Sequence, residues 1–150
     1  TFGRAIDQRG GQYGNGILSK QVPSRTEIVP LPEVVDTEDR IALVAEFDDY
    51  VFIATHFCHR EESNRKASAE KLNQYAEANS KTGSKPVYLA GDLNLSRTGS
   101  DAFIELLKHS NKEYKQTLVV ITHDENIATQ ADRIISIEDG QICRDEMIRR

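Results

Sequence analysis

Ile41-Ala42-Leu43-Val44-Ala45-Glu46-Phe47, then Asp48-Asp49, then Tyr50-Val51-Phe52-Ile53-Ala54-Thr55, is the stretch on which the architecture turns. Both runs are rich in β-branched and apolar residues, and the two-residue connection between them suits a tight hairpin, so they read as an antiparallel strand pair. Upstream, the first fifteen residues are rich in Gly, Gln and Asn, with Gly10-Gly11 and Gly14-Asn15-Gly16 close together. That is turn and loop chemistry. Short apolar runs at Gly16–Ser19 and Glu27–Leu31, the second bracketed by Pro23, Pro30 and Pro32, predict short or edge strands.

Downstream, residues 61–79 have helical spacing, with Ala69, Leu72, Tyr75 or Ala76, and Ala78 on the expected buried face and Gly83 and Pro86 closing the helix. Val87–Ala90 predicts a short buried strand running into Gly91-Asp92-Leu93-Asn94. Ser100 is placed to cap a helix from Asp101 to about Asn111, with Phe103, Leu106 and Leu107 inward. Thr117–Thr122 predicts a strand and Asp124–Gln130 a short helix. Arg133–Ile137 and Gln141–Cys143 predict a hairpin through Glu138-Asp139-Gly140. This order makes the chain a mixed α/β domain.

Composition agrees with one ordinary domain: 150 residues, 38% hydrophobic and 29% charged. No apolar run approaches the ~20 residues of a membrane span, and Thr1-Phe2-Gly3-Arg4 lacks a signal-peptide segment, so a soluble, cytoplasmic protein without membrane insertion is expected. Residues 1–110 carry 13 Lys+Arg against 16 Asp+Glu, and residues 111–150 carry 6 against 8. Neither part has the basic excess of a nucleic-acid-binding domain, so phosphate chemistry here would call for a metal ion. Cys58 and Cys143 are too few for a disulfide framework and read as buried reduced thiols.

Two strand ends carry residues suited to a phosphate. Thr55-His56 closes the second hairpin strand, and Gly91-Asp92-Leu93-Asn94 closes the strand that follows the long helix. Asp92 can orient or deprotonate water, while His56 and Asn94 can donate to phosphoryl oxygens. Asp92 and Asn94, one residue apart, can share a face while Leu93 anchors the other. The cluster His56-Phe57-Cys58-His59 invites a zinc reading, but alternation splits its ligands between two faces and no second ligand pair follows at zinc spacing.

Several ordered motifs carry a resemblance: Gly11-Gln12-Tyr13-Gly14-Asn15-Gly16-Ile17-Leu18-Ser19-Lys20, Ala54-Thr55-His56-Phe57, Arg65 with Leu72, and Leu89-Ala90-Gly91-Asp92-Leu93-Asn94. Over about residues 3–108 the chain resembles the endonuclease/exonuclease/phosphatase superfamily of metal-dependent phosphoesterases. The resemblance implies a two-sheet sandwich flanked by helices, Mg²⁺ or Mn²⁺, and in-line attack of water on a phosphoester substrate. By position, it implies that Asp92 orients the water and serves as a metal ligand, Asn94 holds the phosphoryl group, His56 stabilises the transition state and Asn15 supports the site. The family's metal-binding Asn and Glu of N-terminal strands, and its closing Asp-His pair, have no counterparts in this sequence.

Residues of about 107–146, above all Thr117-Leu118-Val119-Val120-Ile121-Thr122-His123-Asp124 and Ile137-Glu138-Asp139-Gly140-Gln141-Ile142, resemble the C-terminal end of an ABC-transporter ATP-binding protein of the lipoprotein-release type. That resemblance makes His123 the counterpart of the switch histidine. The Gly-rich phosphate loop with its Lys is absent, so no ATP binding is expected. The chain therefore reads as one composite domain over 1–150, chimera-like, with a phosphoesterase-like part at 1–108 and an ABC-ATPase-tail-like part at 109–150. The fold expectation is a partial phosphoesterase sandwich of mixed or antiparallel sheet layers, completed by a strand-helix-hairpin tail. The functional expectation is a metal-dependent phosphoesterase-like domain of weak or no activity. The alternatives are an active Mg²⁺- or Mn²⁺-dependent phosphodiesterase and a non-catalytic fusion of two fold fragments. His123 and Asp124 are candidate substitutes for the missing Asp-His pair, and exposed sheet edges predict a homo-oligomer.

Overall fold

The computed structural model describes residues 1–81, 85–95 and 100–148, leaving aside the side chains of 79–81 and 100–103. Its centre is a five-stranded mixed sheet. Ile41–Glu46 (β4) pairs antiparallel with Val51–His56 (β5), as the hairpin reading expects, and Arg25–Pro30 (β3) adds antiparallel on the outer side of β4. Val87–Asp92 (β6) and Thr117–Val120 (β7) continue the sheet in parallel, giving the order β3-β4-β5-β6-β7. The two parallel connections run through helices, Glu62–Lys81 (α1) and Ser100–Tyr114 (α2), because parallel neighbours need a long crossover.

Alternation along β5 explains the layering. Val51, Ile53 and Thr55 are buried, and the first two join Phe57, Ala42, Val44, Val87, Leu89 and Leu93 in a core with Ala69 and Leu72 of α1 and Leu107 of α2. Phe52, Ala54 and His56 point to the other face, where Leu43, Ala45, Phe47 and Ile17 form a second apolar cluster. In β4 the first five residues are buried, since both of its faces are covered.

The cover on that second face corrects the reading of the N-terminus. The first fifteen residues form a hairpin, Phe2–Gln8 (β1) and Gly11–Gly16 (β2), and residues 17–19 lie beyond its end, so Gly16–Ser19 is not a strand of its own. Arg9 (φ 50) and Gly10 (φ 79) turn it, two positive φ values in a two-residue loop being the mark of a type I′ hairpin. The hairpin packs flat on the sheet because Gly3 has no side chain; a Cβ there would stand 2.9 Å from Ile41 Cδ1.

Glu125–Ala128 (α3), capped by Asp124, leads to a second hairpin, Arg133–Glu138 (β8) and Gln141–Met147 (β9), turned at Asp139 and Gly140 as expected. On α1, Ala69, Leu72 and Ala76 are buried, but Ala78 is exposed. Cys58 is buried as read, whereas Cys143 is exposed because both faces of the second hairpin are largely open. The roles read for Gly83 and for the side chains of Ser100 and Phe103 lie outside the described residues. No described helix is long and apolar enough to cross a membrane.

Candidate active site

Because β5 and β6 are parallel, their carboxyl ends lie side by side, and His56 is the register partner of Asp92. Both belong to the face covered by the β1-β2 hairpin. His56 Nε2 stands 3.9 Å from Asp92 Oδ2. That is too far for a direct hydrogen bond, and it leaves room for a water to bridge the two. Gly91 permits this proximity: its φ is 153, and a Cβ built on it would fall 1.8 Å from the Thr55 carbonyl oxygen.

Asn94 completes the loop after β6. It sits in the left-handed region (φ 50), its backbone N–H donates to Asp92 Oδ1 at 2.9 Å, and its Nδ2 donates to the Phe57 carbonyl at 2.8 Å. One oxygen of Asp92 is thus held from behind while the other faces His56. Among the described residues, the second amide hydrogen of Asn94 and its side-chain carbonyl oxygen have no partner. The structure therefore brings His56, Asp92 and Asn94 together at one sheet edge.

Asn15 lies beside that edge, on the strand that covers it, and bonds to the residue of β4 opposite His56. Its Nδ2 donates to the Ile41 carbonyl at 2.8 Å, an oxygen that also accepts from Thr55 Oγ1 at 3.1 Å, so Asn15 fastens β2 to the sheet. This fastening sets down Tyr13, two residues earlier on the same strand, with its hydroxyl 3.0 Å from His56 Nδ1. Behind Tyr13 lies buried Arg40, whose NH1 donates to the Tyr13 hydroxyl at 2.9 Å and whose NH2 approaches Glu38 Oε2 and His59 Nδ1, each at 3.3 Å. Partial burial, and then the charge of Arg40, pushes the His56 pKa below its ordinary value against the opposing pull of Asp92. The sequence gives neither Tyr13 nor Arg40 a site role, because Tyr13 stands in a Gly-rich stretch that reads as loop and Arg40 sits beside an acidic run.

β7 ends at the same edge, with the Ile121 N–H donating to the Gly91 carbonyl at 3.2 Å, so the chain leaves β7 for His123 and Asp124 next to β6. Asp124 is committed elsewhere: its Oδ1 caps α3 by accepting from Asn126 N at 2.9 Å. No hydrogen bond or ion pair of the described residues joins His123 or Asp124 to His56 or Asp92. The described residues also contain no group of three or more His, Cys, Asp or Glu side chains able to hold a metal. Among the described residues Asp92 Oδ2 accepts no hydrogen bond, and Glu38 is engaged with Arg40. Mg²⁺ keeps several waters and is bound by one or two carboxylates together with substrate phosphate, so Asp92 Oδ2 is the oxygen here that would hold such an ion beside a bound phosphate.

A family model described as the endonuclease/exonuclease/phosphatase family matches residues 3–110, which takes in the whole of this edge up to Asn94. Curated relatives of another kind match as well. An ABC transporter ATP-binding protein of Mycoplasma pneumoniae is 46% identical over 55 residues, 37% of this chain and 16% of that protein. Another, from Methanocaldococcus jannaschii, is 44% identical over 54 residues, 36% of this chain and 23% of that protein. The lipoprotein-releasing system ATP-binding protein LolD 1 of Chlorobium chlorochromatii is 37% identical over 68 residues, 43% of this chain and 28% of that protein. The chain thus spans under a third of the length of each of these relatives. No solved structure matches it.

Proposed function

The chain belongs to the endonuclease/exonuclease/phosphatase family, and from that membership we propose that it is a phosphoesterase-like domain whose His56-Asp92-Asn94 edge binds a phosphoester and hydrolyses it slowly. The observation that supports this reading most is the 3.9 Å gap between His56 Nε2 and Asp92 Oδ2 at the paired ends of two parallel strands. Asp92 Oδ2 orients a water and takes its proton as the water oxygen bonds to phosphorus; the P–O bond to the leaving alcohol breaks in line, and the departing alkoxide takes a proton from solvent. His56 Nε2–H and the second amide hydrogen of Asn94 donate to phosphoryl oxygens as negative charge builds on them. Mg²⁺ or Mn²⁺ enters this reading as an ion carried in on the substrate phosphate. Low turnover follows, since one carboxylate and two neutral donors leave most of the transition-state charge unmatched.

The chimera-like organisation is part of the proposal: a phosphoesterase-like part to about residue 108, continued by an ABC-ATPase-like tail whose strand β7 completes the sheet. A fully active phosphodiesterase with Asp124 as substitute carboxylate finds less support, because Asp124 caps α3. Hydrolysis of bis-p-nitrophenyl phosphate with Mn²⁺ tests the reading in wild type, His56→Ala and Asp92→Ala. Loss of one such group from the chemical step commonly costs about 100-fold. Each variant is therefore expected to fall to the background rate. Equal rates in all three proteins reject the site.

A further inference from the structure

We infer that Tyr13 and Arg40 are positioning residues that fix which ring nitrogen of His56 carries the proton, an inference whose bearing on hydrolysis rests on the phosphoesterase reading. A guanidinium has only N–H donors, so the Tyr13 oxygen, 2.9 Å from Arg40 NH1, must accept there. The hydroxyl hydrogen is then free to point at His56 Nδ1, 3.0 Å away. Nδ1 becomes the acceptor, and neutral His56 carries its proton on Nε2, the nitrogen that looks across 3.9 Å to Asp92.

The opposite tautomer is poorly served. With Nδ1–H donating to Tyr13, the Tyr13 oxygen would accept twice, and its own hydrogen would find no third partner among the described residues. The Nε2 lone pair would also face the Asp92 carboxylate and any incoming phosphoryl oxygen. Arg40 makes the direction firm because it is buried, at 7% exposure, and its side chain cannot become an acceptor at any working pH. Its ion pair with Glu38 holds the head group in place. The site therefore presents a neutral N–H donor rather than a lone pair to the substrate.

Two-bond ¹H–¹⁵N correlation NMR of the full chain with ¹⁵N-labelled histidine, at pH 8, reads this without any assay. His56 is expected to show a pyridine-like Nδ1 and a pyrrole-like Nε2 as a single tautomer. Tyr13→Phe should move both shifts toward each other as the second tautomer becomes populated, with His109 and His123 unchanged as internal controls. Tyr13→Phe should also lower kcat for bis-p-nitrophenyl phosphate by about tenfold with little change in KM, the pattern of an interaction realised in the transition state. A wild-type His56 protonated on Nδ1, or mixed, overturns the inference, and that measurement stands even if the variant fails to fold. An unchanged tautomer in folded Tyr13→Phe also overturns it. The expected tautomer in a wild type that hydrolyses nothing upholds the positioning and sinks the phosphoesterase reading instead.

Discussion

Asn64 shows how a single polar side chain carries part of this fold. It is buried on α1 at 2% exposure. Its Oδ1 accepts from the backbone N–H groups of Val34 and Val35, and its Nδ2 donates to the Val35 carbonyl and to Thr37 Oγ1. The segment it holds leads directly to Glu38 and Arg40, so a helix residue secures the loop behind the candidate site. Asn64→Ala removes four hydrogen bonds from this part-buried loop at once, each contributing about 0.5–1.5 kcal/mol net before solvent takes over some of them. Urea unfolding should show a loss of about 2 kcal/mol for Asn64→Ala. A midpoint equal to wild type would mean that solvent takes over these bonds at no cost. Val34 and Val35, exposed in spite of their apolar side chains, are held by their backbones rather than by burial.

At the level of elements, the joint between β4 and β6 depends on an ion pair. Lys85 Nζ donates to Glu46 Oε1 at 2.8 Å and to the Phe47 carbonyl at 2.7 Å, tying the segment before β6 to the end of β4. The hydrogen bond from Lys85, then its charge, holds the Glu46 carboxyl below its ordinary value. A carboxylate depressed in the folded state contributes stability above its unfolded pKa and loses it as pH falls through the folded one. Stability measured at pH 7, 4 and 3 should therefore fall more steeply in wild type than in Glu46→Gln, and parallel curves would show that the pair is energetically silent. The elements differ in how far the sequence revealed them. β4 and β5 were legible because buried strands concentrate β-branched residues, and His56, Asp92 and Asn94 because polar residues at strand ends stand out against apolar runs. β1 and β2 were hidden, since their glycines and polar residues form strands only when the sheet lies beneath them. Tyr13 was hidden with them. Asn64 and Ser68 were illegible for another reason: a buried polar residue on a helix has the same spacing as a solvated one until its partners are known.

For the whole molecule, coverage of the sheet is uneven. The β1-β2 hairpin covers the face of β3, β4 and β5, and the helices cover the other side, but β7 is the last strand in the sheet order and its side chains alternate between half-buried and exposed. Leu118 and Val120 pack on the helical core, while Val119 and Ile121 are 51% and 65% exposed. The β8-β9 hairpin adds Ile135, Ile137, Ile142 and Met147 to the exposed apolar side chains, with Ile137 opposite Ile142. An open strand edge beside apolar side chains is a pairing surface that proteins ordinarily cover. The low net charge of -5 on 150 residues gives little repulsion to keep copies apart. We propose that the chain self-associates through the exposed apolar side chains of β7 and of the β8-β9 hairpin. Light scattering should return a mass above the 16.9 kDa of one chain, and the double substitution Ile121→Lys with Ile137→Lys should bring it down to one chain without loss of the far-UV spectrum. A wild type that scatters as a strict monomer across the micromolar range would mean that the tail hairpin tolerates exposure by itself. The sheet would then end at β7 with no partner, and its four-residue strand would be too short to template another.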